Sequence, residues 1–210
     1  MPRTPIRIRG IQKAFERIFG KKAKAPQGLL AASRSGSGYF GAAYSGIPRM
    51  GEGLAFHLMA TPQHFEKIGM VRKYSWVKPG AICSTGLWLF PVDKQAIITV
   101  IQPTADLKKA GLPSSERGRY RYAEIATTIT AIEHCRRKGI RLFAVHPQNY
   151  EPIHRHTGEM SVDIPHYYRQ TLENAAKGLG MKWKEVRVEG SFWAGYARFF
   201  GGKILELVKE

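Results

Sequence analysis

The chain has 210 residues, with 33 Lys and Arg against 16 Asp and Glu and a formal charge of +17 at pH 7. A hydrophobic fraction of 43%, with 11% aromatic residues, suffices to bury a core and excludes a wholly disordered chain. No apolar run approaches the roughly 18 residues that a spanning helix needs, and two distant cysteines, Cys83 and Cys135, exclude a disulfide framework and a CxxC zinc site. Both read as buried thiols of a reducing compartment, cytoplasmic or nucleoid-associated, with a mitochondrial location as the alternative.

The charge is concentrated at the start. Residues 1–28 carry Arg3, Arg7, Arg9, Lys13, Arg17, Lys21, Lys22 and Lys24 against Glu16 alone. In the same stretch Ile8, Ile11, Phe15, Ile18 and Phe19 recur at helical steps, so it reads as an amphipathic helix with a basic back, stopped by Gly20. Such a segment is compatible with a mitochondrial presequence, a membrane-surface helix or a nucleic-acid-binding arm. We expect an arm that adds little to the core.

Residues 29–49 are rich in Gly and Ser, with Ser33 to Gly38 the most linker-like stretch, and predict a linker ahead of a domain spanning 50–210. No GxxxxGK[ST] accompanies these glycines, so they do not spell a phosphate loop. Short apolar runs follow at Leu54 to Met59, Tyr74 to Val77, Ala81 to Phe90 and Gln95 to Gln102, separated by Pro79-Gly80 and Pro91-Val92-Asp93, and these predict strands. Pro62 to Ile68 predicts one or two helical turns, and Pro103 to Arg117 a surface loop.

The best-defined element is a helix over 120–138, where Tyr122, Ile125, Ile129, Ile132 and Cys135 form one stripe and Gly139 is placed to cap the end. Ile140 to Val145 predicts a buried strand ending at His146-Pro147. A second helix is predicted from Asp163, with Pro165 in its first turn and Tyr168, Leu172, Ala175, Ala176 and Leu179 on the packing side. Residues 181–189 and 192–200 predict a hairpin around Glu189-Gly190-Ser191, and Lys203 to Lys209 a short terminal helix or strand. The fold class expected is α/β of the mixed α+β kind: a mixed sheet with two main helices packed on it, preceded by a basic N-terminal helical arm.

Three groups of residues invite a chemical reading. His146, His154 and His156 fall close together, and two imidazoles spaced H-x-H on a strand face the same side and could share a metal ion. This spacing resembles that of the endonucleases that nick single strands with a His-hydrophobic-His metal motif and a tyrosine nucleophile; Tyr167 and Tyr168 lie on the helix that follows. The resemblance implies a metal-dependent nuclease or nickase, and it departs from that family at Arg155, which replaces the hydrophobic residue. The order strand, helix bearing Glu124, strand is also similar to that of ribonuclease H-like enzymes, but the acids available, Asp93, Asp106 and Asp163, sit in turns or caps and no strand supplies an inward carboxylate. A nucleophile at Cys83, with His57 or His64 as base, would need an exposed thiolate, whereas Cys83 lies in an apolar strand.

A basic and aromatic texture recurs instead. Arg117, Arg119 and Arg121 interleave with Tyr120 and Tyr122; Arg72 and Lys73 precede Tyr74 and Trp76; His166, Tyr167, Tyr168 and Arg169 form a third set. Arginine offers bidentate phosphate contacts and tyrosine a stacking surface for unpaired bases, and Tyr120 and Tyr167, off the packing stripes, are the expected stacking residues. The expected function is therefore a non-enzymatic nucleic-acid-binding component of a larger nucleoprotein assembly, RNA favoured over DNA, needing no cofactor and meeting other proteins of the assembly. Its contact residues would be the eight cations of residues 1–28 with Arg34, Arg72, Lys73, Arg117, Arg119, Tyr120, Arg121, Arg155, Tyr167 and Arg169. The alternatives are the His146, His154 and His156 nuclease and a membrane-associated matrix-type structural protein anchored by residues 6–19.

Overall fold

The computed structural model describes residues 10–40, 49–68, 77–148, 164–187 and 202–210. In chain order these form α1 (Ile11–Phe19), β1 (Leu29–Phe40), β2 (Arg49–Met59), α2 (Pro62–Phe65), β3 (Ala81–Phe90), β4 (Gln95–Pro103), α3 (Ser114–Gly118), α4 (Ala123–Arg137), β5 (Arg141–Val145), α5 (Ile164–Gly178), β6 (Met181–Arg187) and β7 (Lys203–Lys209). The strands make one mixed sheet of seven in the order β1-β2-β3-β4-β5-β7-β6. The first four run as an antiparallel meander, β5 joins β4 in parallel after the α4 crossover, and β7 lies antiparallel between β5 and β6.

Two expectations about the first fifty residues are corrected. Residues 29–40, within the expected linker, are β1, paired with β2 from Leu29↔Met59 to Phe40↔Arg49 across a bulge between Arg34 and Ser37. Small residues are what this corner needs. A Cβ at Gly53 would collide with the Ser35 hydroxyl of the neighbouring strand, and one at Gly51 would lie 2.8 Å from the Phe90 ring. Composition that reads as loose chain is here the clearance that lets serine and large aromatic side chains pass.

The second correction concerns the arm. Phe15 is fully buried and Ala14 nearly so, both within the main core cluster beside Ile129, Ile132, Tyr168 and Leu172. The helix crosses the C-terminal turn of α5 so closely that a Cβ at Gly178 would meet the Ile18 side chain at 2.9 Å and the Ala14 Cβ at 3.1 Å. An amphipathic helix buries its apolar stripe wherever a matching surface exists, and the chain itself supplies that surface. The helix is thus an integral layer of the fold.

α4 and α5 cover one face of the sheet as expected. α4 buries Ile125, Ile129, Ile132 and Cys135, and its end is tied by Ile140 N donating to Cys135 O at 2.9 Å and Gly139 N to Arg136 O at 3.1 Å. Gly139 adopts φ 64°, the left-handed position this closure requires. α5 is pinned to the sheet by the Tyr168 hydroxyl, which donates to Ile98 O at 3.3 Å, and by Trp183 Nε1, which donates to Leu172 O at 2.8 Å. The expected partner of β6, residues 192–200, and the expected strand over 74–76 lie outside the described residues. Among the described residues β6 pairs with β7, so Lys203–Lys209 resolves as a strand.

Candidate nucleic-acid interface

Burying one stripe of α1 turns the opposite one outward. Lys13 and Arg17 are exposed on the helix, and Lys21, Lys22 and Lys24 on the segment that follows. None of the five has a carboxylate partner among the described residues. Arg17 Nη1 reaches Gly178 O at 3.5 Å, placing a cation against the carbonyl end of α5, in the turn that also carries exposed Lys177. Gln12 fastens the extended segment to the helix: its Nε2 donates to Ala23 O at 2.7 Å and its Oε1 accepts from Ala25 N at 3.0 Å. These cations are held on a tethered surface, and sequence reasoning found all of them except Lys177, which lay in a packing helix and drew no notice.

Elsewhere the expected contact residues are differently placed. Arg34 pairs with Glu52 at 3.5 Å, Arg169 with Glu173 at 2.8 Å and Arg119 with Glu116 at 2.9 Å. Arg117 donates to Ser114 Oγ at 2.7 Å, and Arg121 lies 4.7 Å over the Tyr122 ring. Tyr120 is a correction: it is buried, 3% exposed, and cannot stack on a base. Its hydroxyl accepts from Thr61 N at 3.1 Å and lies 2.9 Å from His64 Nδ1. The helix begins only at Ala123, so lying off its packing stripe carried no information about the exposure of Tyr120. Tyr167 is half-buried and hydrogen-bonds the Glu124 side chain, whose carboxyl burial pushes up while that bond opposes the rise. Arg3, Arg7, Arg9, Arg72, Lys73 and Arg155 lie outside the described residues.

The histidines separate into distinct settings. His57 is buried between two hydroxyls, with Nε2 2.6 Å from Ser33 Oγ and Nδ1 2.7 Å from Ser84 Oγ, and burial with the nearby Lys78 charge lowers its pKa to about 4. Cys83, one residue away on the same strand as Ser84, points to the opposite face. There its Sγ lies 3.9 Å from Thr127 Oγ1, and burial raises its pKa far above the ordinary thiol value. Thiol and His57 are therefore not a catalytic pair, and Cys135 is likewise pushed up to about 12 by burial.

His146, at the carboxyl end of β5, stands 3.1 Å from Glu185, which Lys203 holds at 2.8 Å. The hydrogen bond from Lys203 lowers the Glu185 carboxyl, while burial lowers His146 against the opposing pull of Glu185. A lysine on that carboxylate works against cation binding, and no group of three metal-ligating side chains occurs among the described residues. His154 and His156 lie outside them. No helix among the described residues is long and apolar enough to cross a membrane.

No protein-family model matches the chain, and comparison with curated proteins also finds no match.

Proposed function

We propose that the protein is a non-enzymatic nucleic-acid-binding component of a nucleoprotein assembly, with α1 and the segment after it as the main contact surface and RNA favoured over DNA. The observation that carries this reading is the set Lys13, Arg17, Lys21, Lys22 and Lys24, exposed and without carboxylate partners among the described residues, on a helix whose other side is core and on the segment that follows it. Cations left unneutralised by the protein's own acids gain most from a polyanion, because each phosphate they meet releases condensed counterions. The overall +17 charge adds a long-range attraction of the same sign.

The test is a titration of labelled single-stranded RNA and DNA oligonucleotides at several salt concentrations. Affinity is expected to fall linearly on a log-log plot, with a slope of about −0.7 per phosphate neutralised on a single strand. Absence of binding at low salt, or an affinity indifferent to salt, overturns the reading. Equal affinities for RNA and DNA would remove only the preference for RNA.

A further inference from the structure

Away from the α1 surface, the start of β1, the turn from β2 into α2 and the end of α3 enclose a cleft of about 610 Å³. Leu29, Ala60, Pro62 and Phe65 give it apolar walls, and Gln27, Thr61, Glu66 and Arg119 supply its polar groups. We propose that this cleft receives one nucleoside monophosphate unit, with the base between the apolar walls and the phosphate at Arg119. For a nucleotide within an unpaired strand the proposal rests on the nucleic-acid reading above; for a free nucleotide it stands alone.

The polar groups are set in place before any ligand arrives. Arg119 Nη1 donates to Gln27 Oε1 at 2.8 Å, its Nε lies 2.9 Å from Glu116 Oε2, and its backbone carbonyl accepts from Gln27 N at 2.7 Å. Nη2 keeps no partner among the described residues, so a pinned guanidinium offers a free donor at the edge of an apolar cleft. Glu116 Oε2 also faces His64 Nε2 at 3.2 Å. The other ring nitrogen, Nδ1, lies 3.0 Å from Thr61 Oγ1 and 2.9 Å from the Tyr120 hydroxyl. Gln27 with Arg119, and Thr61 with His64 and Tyr120, thus form two hydrogen-bonded groups beneath the cleft, and the Glu116 carboxylate lies between them within ion-pair distance but without a hydrogen bond at Oε2. Groups held this way lose little freedom on binding, which favours a small ligand.

The chemistry of the lining selects the ligand class. The volume falls in the range of small-molecule sites, roughly 300–1,000 Å³. A flat apolar body with one anionic end satisfies both the walls and Arg119, and a nucleotide has that form. Glu66, exposed on the lining, favours a base presenting N–H donors toward it and keeps the phosphate at the Arg119 end. The smaller cavity beside His146, about 260 Å³, has too little room for a base and its phosphate together.

The experiment titrates the full chain with GMP, UMP and inorganic phosphate by calorimetry, then with a single-stranded oligonucleotide carrying a photoreactive base. GMP is expected to bind in the millimolar range or tighter and more strongly than UMP or phosphate. Arg119→Ala should weaken GMP about 10-fold. Glu66→Gln, at an exposed side chain that leaves the fold intact, should narrow the gap between GMP and UMP. Crosslinking of the oligonucleotide to the Phe65 peptide identifies the strand as a source; GMP binding without that crosslink identifies the free nucleotide. Binding of the oligonucleotide with no GMP binding and no effect of either substitution overturns the cleft and leaves the α1 surface standing. GMP binding to a protein that ignores the oligonucleotide does the reverse.

Discussion

Cations in two parts of the molecule share a charge and differ in circumstance. Around α4, β5 and β7 they are spent on the protein's own acids: Arg136 and Arg137 share Glu133, Arg141 is held 2.6 Å from Glu206, and Lys203 2.8 Å from Glu185. On α1 and the segment after it, Lys13, Arg17, Lys21, Lys22 and Lys24 stand without carboxylates among the described residues. The difference teaches that net charge is a poor guide to a binding surface, since a neutralised arginine must leave one partner to gain another. The useful quantity is charge not already answered nearby, displayed on an element that is itself anchored.

The strongest way to break this contrast is to unseat the helix that displays the free set. Phe15→Ala removes a fully buried ring from the shared core and should cost about 3–5 kcal/mol in urea unfolding. A change below about 1 kcal/mol would show that α1 is the loose arm its composition suggests, and that its cations are not held in register.

Acid offers a second route, because it leaves lysine, arginine and phosphate diester charged while acting on the core. His57 is held at about 4 against an ordinary 6.5. As pH falls below about 6.5 the unfolded chain takes up a proton that the folded chain refuses, so stability drops until the folded form also titrates near pH 4. The expected loss across that window is at most about 3 kcal/mol, with no further contribution from this group below it. His57→Gln should flatten the curve. Nucleic-acid binding that weakens in step with unfolding, and not before it, would trace the acid sensitivity to His57 rather than to the contact surface.

Replacing Lys13, Arg17, Lys21 and Lys22 together by Ala addresses the contrast directly. Binding to a single strand should fall about 100-fold at low salt and the salt slope should shrink by about 3, with little change in melting temperature. The matched control is the smallest effect: Arg136→Ala and Arg141→Ala, each removing an already paired cation, should change affinity less than about 3-fold and stability by no more than about 1 kcal/mol. Similar losses from both sets would erase the distinction.

The sequence disclosed helices and buried strands wherever a single period ran long enough. Ile125, Ile129, Ile132 and Cys135 announce α4 because only one face of a helix collects them, and Ala81 to Phe90 announces β3 because a largely apolar run bounded by Pro79-Gly80 and Pro91 calls for burial on both sides. β1 escaped because its evidence is relational. Gly51, Gly53 and Ser35 make sense only once Phe90, Trp88 and a neighbouring strand are beside them. The same holds for Tyr120, exposed by sequence reasoning and held in the core by two residues from elsewhere in the chain, Thr61 and His64. Of the candidate interface, the identity of the α1 cations was legible from composition. Which cations stay unpaired was not, because pairing depends on acids as distant as Glu206 is from Arg141.

The place of β7 governs how the sheet can be assembled. β7 follows β6 in the chain yet lies between β5 and β6, bonded to both. Among the described residues, then, β7 alone joins β6 to the rest of the sheet, so fraying of residues 203–209 would release β6 and uncover the edge of β5 in a single event.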